Sequence, residues 1–282
     1  MHKNGKWARQ IIGWQDDEGK WGDYHSLAVA GNTKITTEQA VRRLERLGYT
    51  IEDECIQKAV QYMSDCLEGR KTIPDRVEKC HDWSVFTSLI LSTAIRRFTK
   101  ENATANRVAE QWAEVVTAAF AEGTYSHDAY IAAYKRDLKP NGGRINGIET
   151  YYPVSLLCDM LDEKTECAFV EHILNFDRGI YYIYGSRLSI LPQEFQSKDA
   201  SCYLGAIELL ARYKQARHKL DFVAEWLNSN RNENGRWDMG KSVNDKLYFP
   251  LSDDWRKSST READCTERIE KLLKELTEEH IK

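Results

Sequence analysis

Residues Trp14-Gln15-Asp16-Asp17-Glu18-Gly19-Lys20-Trp21-Gly22 near the start of the chain and Asn230-Arg231-Asn232-Glu233-Asn234-Gly235-Arg236-Trp237 near its end share one plan. In each, a polar run closes on a glycine and an aromatic follows two residues later. Asp and Asn favour turns through bonds to their own backbone, and glycine takes the left-handed conformation of a helix C′ position without a Cβ clash. The Gly-x-aromatic pattern recurs at Gly123-Thr124-Tyr125 and Gly179-Ile180-Tyr181, with a degenerate copy at Gly69-Arg70-Lys71. The glycines at 19, 69, 123, 179 and 235 are spaced by 50, 54, 56 and 56 residues, a period that reads as one supersecondary unit used repeatedly.

Helical periodicity fills the intervals. Ala40, Val41, Leu44 and Leu47 form one apolar stripe; Ile56, Val60, Met63 and Leu67 form a second; Val108, Trp112, Val115 and Ala119 a third; Ile269, Leu272, Leu273 and Leu276 a fourth. Thr36 with Gln39, and Ser259 with Glu262, have the spacing of a capping box. No run alternates with the period of a strand; the aromatic Ile180-Tyr181-Tyr182-Ile183-Tyr184 is the one short candidate. Each glycine follows one helical pattern and precedes another, with the succeeding helices starting near Thr37, Asp82, Thr150, Asp199 and Glu262. The expectation is an all-α chain of five helical hairpins in one domain spanning residues 1–282, with a short extra helix over Asp128–Lys135 and an aromatic wedged between adjacent hairpins after each glycine.

Composition bounds the function classes. The 282 residues carry 40 Lys and Arg against 44 Asp and Glu, a net charge of −4 that provides no basic footprint for nucleic acid. Apolar stretches such as 88–95 fall well short of the roughly 20 residues of a membrane helix. Met1–Trp7 has no apolar stretch of the kind a secretory signal carries. Seven irregularly spaced cysteines without a C-x-x-C pair suit reduced thiols, so a cytoplasmic protein is expected.

The N-terminal of the two end motifs resembles the QW motif, Q-x(2–5)-G-x-W, of squalene–hopene and oxidosqualene cyclases, and the C-terminal one is similar to it with Asn230 in place of Gln. The resemblance to the terpenoid cyclase and protein prenyltransferase superfamily implies an α/α toroid, with inner and outer helices alternating along the chain. It does not by itself carry a chemistry. The D-x-D-D acid of class II cyclases is absent; Asp16-Asp17 and Asp253-Asp254 are acidic pairs in polar loop sequence. Prenyltransferases hold zinc through D-x-C and a distant His. Here Asp199 and Cys202 stand as D-x-x-C, one residue off, with His81, His127 or His172 able to supply nitrogen, or else Asp199 caps its helix and Cys202 is core. Lanthionine cyclases bind zinc through a Cys-His pair; Cys80-His81 matches only that pair and the accompanying W-C-x-G is missing. No cofactor is expected, with zinc the one alternative.

In this toroid class the inner-helix N-termini ring one mouth of a central cavity, where free amides suit anionic or hydrogen-bonding ligands. The candidate catalytic residues at those ends are His81, Asp82, Asp199 and Tyr203; the candidate ligand-binding residues are Trp83, His127, Tyr151 and Tyr152. Paired carboxylates, or Tyr with His, are the equipment of glycosidases and lyases. The segments Trp21–His25 and Pro250–Arg256 are further candidates for a lip. The leading expectation is a toroid that binds a small or polymeric ligand in an aromatic and polar cavity, with or without catalysis. The alternatives are a non-catalytic scaffold that holds a partner protein on its rim, and a zinc-dependent prenyltransferase-like enzyme.

Overall fold

The computed structural model describes residues 2–25, 34–77 and 79–277. Among them are eleven α-helices and no strand: α1 (Lys6–Ile12), α2 (Thr37–Arg46), α3 (Glu54–Leu67), α4 (Trp83–Phe98), α5 (Ala103–Ala119), α6 (His127–Ala133), α7 (Tyr151–Leu156), α8 (Glu163–Asn175), α9 (Lys198–Leu210), α10 (Asp221–Ser229) and α11 (Ser258–Thr277). None is long and apolar enough to cross a membrane. The apolar stripes become core: Ala40, Val41, Leu44, Ile56, Met63, Trp112, Val115, Ile269 and Leu272 are all buried.

The helix starts follow the cap chemistry. Thr36 and Gln39 form the expected capping box on α2. Asp82 caps α4, accepting from Val85 N at 3.0 Å. Ser197, rather than Asp199, caps α9, accepting from Ala200 N at 3.0 Å. Ser259 is not a cap, because α11 already begins at Ser258. The aromatic segment is a tight turn: Tyr151 N donates to Tyr181 O at 3.1 Å and Tyr181 N to Glu149 O at 2.9 Å, which pins it beside the start of α7 without forming a strand. The extra helix is α6, which continues into a π-helical turn at Tyr134–Leu138.

All five repeat glycines take positive φ, between 56° and 93°. The first and last loops match bond for bond. Asp16 N donates to Lys20 O at 3.0 Å, and Asn232 N to Arg236 O at 2.7 Å. Asp16 Oδ1 accepts from the amides of Glu18 and Lys20, and Asn232 Oδ1 from those of Asn234 and Arg236. The indole Nε1 of Trp21 donates to Ile11 O at 2.7 Å, and that of Trp237 to Leu227 O at 2.6 Å. Both rings are buried, each tying its loop back to the last turn region of the preceding helix. In this register Gln15 stands opposite Arg231, not Asn230. Gln15 Nε2 donates to Gly19 O and, at 2.8 Å, to Cys55 O on α3, whereas Arg231 stacks its guanidinium 4.7 Å over the Trp237 ring. Asn230 turns back to Trp226 O.

The two end tryptophans bond within their own hairpins, Trp21 to Ile11 O and Thr37 Oγ1 and Trp237 to Leu227 O and Thr266 Oγ1, rather than between adjacent ones as expected. Tyr125 packs tilted on His172 at 4.5 Å, and Tyr181 is 63% exposed with its ring against Tyr182. The chain's two ends meet. Trp7 Nε1 donates to Ser252 O at 3.2 Å, Lys6 N to Asp253 Oδ1 at 2.8 Å, and Arg43 on α2 to Leu247 O and Pro250 O. Asp264 of α11 is buried and accepts from the amides of Leu251 and Ser252, which shapes the same segment.

The two end glycines differ in what surrounds them. A Cβ on Gly19 would stand 2.5 Å from Lys58 O, whereas nothing lies within 4 Å of one on Gly235. Gly235→Ala is therefore expected to cost only the left-handed strain, about 1–2 kcal/mol, and Gly19→Ala clearly more, because the loop must also move off α3. Urea unfolding of the two variants checks the order; equal losses would contradict it.

Candidate functional site

A cavity of about 470 Å³ lies among α2, α4, α7, α9 and α11, with residues from each in its wall. Its lining is dense in charge. Arg42, Arg46, Arg97, Arg212, Arg268 and Lys271 face Glu45, Glu208, Glu267 and Glu275. On α2, residues 42, 45 and 46 share one face by helical spacing, opposite the apolar stripe, and turn into the cavity.

Most of these charges are matched. Arg97 grips Glu45 through Nε and Nη2, at 2.6 Å for the shortest bond. Glu208 on α9 takes Arg268 of α11 at 2.6 Å and Arg46 of α2 on its other oxygen. Arg268 also donates to Ser201 Oγ and O, and both Arg46 and Arg268 lie over the Tyr248 ring. Arg42 stacks 4.2 Å from the Tyr151 ring and reaches Glu38 at 3.8 Å. Burial pushes the carboxyls of Glu45 and Glu208 up, and the adjoining guanidinium groups more than offset it, so both are held below the ordinary glutamate range. Glu275 is the opposite case. Burial raises it, Glu208 adds repulsion, and the opposing charge of Lys271 does not restore it.

A second constellation sits at the N-terminal end of α2, beside the start of α7. His25 Nδ1 lies 2.6 Å from Glu38 Oε2 and 2.9 Å from the Tyr152 hydroxyl, which donates to Glu38 Oε1 at 3.0 Å. Phe86, Tyr152 and Tyr182 surround the imidazole edge-on at 5.5–5.7 Å. Burial raises Glu38, while the His25 hydrogen bond and the charges of His25 and Arg42 bring it below its ordinary value. Burial holds the Tyr152 phenol well above its own, with Glu38 adding to the effect.

The structure distributes the candidate residues over several places. His81 stacks on Phe86 at 5.6 Å and Trp83 tilts against the same ring, so both adjoin the His25 cluster. Asp82 is occupied in capping, with Asn141 N on its second oxygen at 2.7 Å. Tyr151 lines the cavity, and Tyr152 belongs to the His25–Glu38 cluster. Asp199 is exposed, with Tyr184 OH 3.4 Å away, and Tyr203 is core, donating to Leu188 O. His127 is exposed beside Tyr125. No group of three His, Cys, Asp or Glu that could hold a metal ion occurs among the described residues. Sequence reasoning does not single out the cavity arginines or Glu38. The signal it offers is a basic cluster at the ends of helices that are otherwise apolar, as at Arg96-Arg97.

No family model, curated protein or solved structure matches the chain.

The ion pairs set an acid limit. Carboxyls held below their unfolded value near 4.3 contribute stability that is present above that pH and is lost as pH falls through their folded values. Unfolding free energy is expected to drop below about pH 4.3, and Arg97→Gln is expected to flatten that drop in part, because Arg97 lowers Glu45 together with Arg46 and Arg212. Glu275 has the reverse sign, so Glu275→Gln is expected to raise the melting temperature at neutral pH and to change little in acid. Denaturant titrations across pH check both.

Proposed function

We propose that the chain is an α/α toroid similar to the terpenoid cyclases, with α2, α4, α7, α9 and α11 as the inner ring and α1, α3, α5, α8 and α10 as the outer ring. It binds a small organic ligand in the central cavity. One observation carries the reading: a single cavity has lining residues on all five helices whose starts follow the repeat glycines, and ten charged side chains face it. Buried ion pairs contribute little net stability against apolar packing of the same volume. A ring that only had to hold its shape would fill that space with aliphatic side chains. Keeping it open and charged suits a ligand.

Binding is tested by filling the space. Leu209 lines the cavity, and its replacement by Trp inserts bulk there. Ligand-induced thermal shifts across a panel of small acids, bases and neutral compounds are expected in the native protein and lost in Leu209→Trp. The variant itself is expected to lose no more than about 1–3 kcal/mol, the usual cost of overpacking. A scaffold that works through its rim would show no ligand shift in either protein, and that result overturns the reading.

An enzymatic reading is favoured by the His25–Glu38–Tyr152 cluster. A carboxylate on Nδ1 fixes the imidazole tautomer and orientation and raises its basicity. Once a ligand is found, Glu38→Gln is expected to lower turnover about 100-fold or more while leaving ligand affinity within a few-fold; equal losses in both would assign Glu38 to binding alone.

A further inference from the structure

Among the cavity arginines, Arg212 alone has no carboxylate within ion-pair distance among the described residues. Its guanidinium donates one hydrogen bond, from Nη1 to Ser155 Oγ at 3.3 Å. The same hydroxyl oxygen accepts from Arg97 Nη1, also at 3.3 Å. Two positive groups thus converge on one neutral, buried oxygen, and only one of them is neutralised, by Glu45. Like charges brought together in a partly enclosed space repel unless an anion sits between or beside them. Glu45 and Glu275 are near enough to feel the Arg212 charge, yet neither reaches it.

We propose that Arg212, with Ser155 and Arg97 behind it, is the anchor for the carboxylate of a small organic acid whose apolar body lies in the rest of the cavity. The inference rests on the cavity being a ligand site and names the class of its occupant. A planar carboxylate matches the free fork of a guanidinium with two parallel hydrogen bonds. A monocarboxylate meets the one cavity guanidinium that lacks an ion pair among the described residues, whereas a dianionic phosphate would bring its second charge toward Glu45 and Glu275, which share the cavity wall. The apolar body follows from the remaining wall, where Ile183, Leu209, Leu247 and Leu272 join the rings of Tyr151 and Tyr248.

The test uses the whole chain and probes of known chemistry. Arginine Nε signals are followed by nitrogen-15 NMR, with the Arg212 signal assigned by its loss in Arg212→Gln. Acetate, small enough to enter any open carboxylate site, is expected to shift that signal selectively. Calorimetry then compares 3-phenylpropanoate with its amide, 3-phenylpropanamide. The acid is expected to bind roughly tenfold or more tightly, and the gap is expected to close in Arg212→Gln and to narrow in Ser155→Ala. Arg212→Lys, which keeps the charge and loses the fork, is expected to retain part of the preference and covers the case in which Arg212→Gln does not fold.

Acid and amide binding the native protein equally would overturn the anchor and leave the cavity reading standing. So would an Arg212 signal that no acid moves while a neutral compound still gives a cavity-dependent thermal shift. Inorganic phosphate moving the Arg212 signal at lower concentration than acetate would overturn the choice of a monocarboxylate. No thermal shift from any compound, with a silent Arg212 signal, would sink the anchor and the cavity reading together.

Discussion

One carboxylate joins the beginning of the chain to its end. Glu208 of α9 holds Arg46 of α2 on one oxygen and Arg268 of α11 on the other. Residues more than 200 positions apart therefore meet on a single negative charge, and Tyr248 packs its ring beneath both guanidinium groups. An arrangement of this kind is held by geometry as much as by energy. The Coulomb gain mostly offsets desolvation, but removal of the central acid would strand two cations in a half-dry cavity. The positions of α2, α9 and α11 around the cavity are thus set by a pairing that tolerates little displacement.

The distribution of charge along the helices follows the same logic. Arg42, Arg43 and Arg46 stand in the last turns of α2, Arg96 and Arg97 in the last turns of α4, and Arg212 just beyond α9. Helix C-termini carry partial negative charge, so cations gather there at low cost. The sequence points to the opposite end, where the helices begin and free amides offer anion sites. That end is occupied otherwise. Its amides are taken by caps such as Asp82 and Ser197, and its polar side chains close on one another in the His25–Glu38–Tyr152 cluster. The charged cavity lies toward the other end, where side chains rather than helix amides supply the positive groups. Glu38 and Arg42, one helical turn apart, connect the two regions.

What sequence makes legible is local. Apolar spacing locates the helices and glycine spacing locates the turns, because both are set by a residue's own backbone preferences and by which face meets the core. The starts of α2, α4, α7 and α9 fall within a residue or two of their expected positions for that reason. Side-chain partners are harder. Arg42, Glu45 and Arg46 read as a solvated face, since charged residues on one side of an amphipathic helix usually are. Nothing within α2 reveals that this face meets other helices across an enclosed space; that depends on Glu208, Arg97 and Tyr151, which lie far away in sequence. Asp199 illustrates the converse. It has the composition of a site residue beside a helix start, yet Ser197 takes the cap and leaves Asp199 on the surface.

The repeat itself carries a physical asymmetry. A tryptophan after the glycine can both fill a deep slot and donate its indole hydrogen to a carbonyl of the preceding helix, so it fixes the angle at which the chain leaves the turn. Tyr125 and Tyr181 offer no such bond at that geometry, and Lys71 offers no ring at all. The middle units do not need it, since α4 packs against α3, α5 and α7 and is held from several sides. Helices α1 and α10 are each secured by an indole hydrogen bond, Trp21 to Ile11 and Trp237 to Leu227. The motif is sharp where the indole bond is made and degenerate where the residue after the glycine cannot make it.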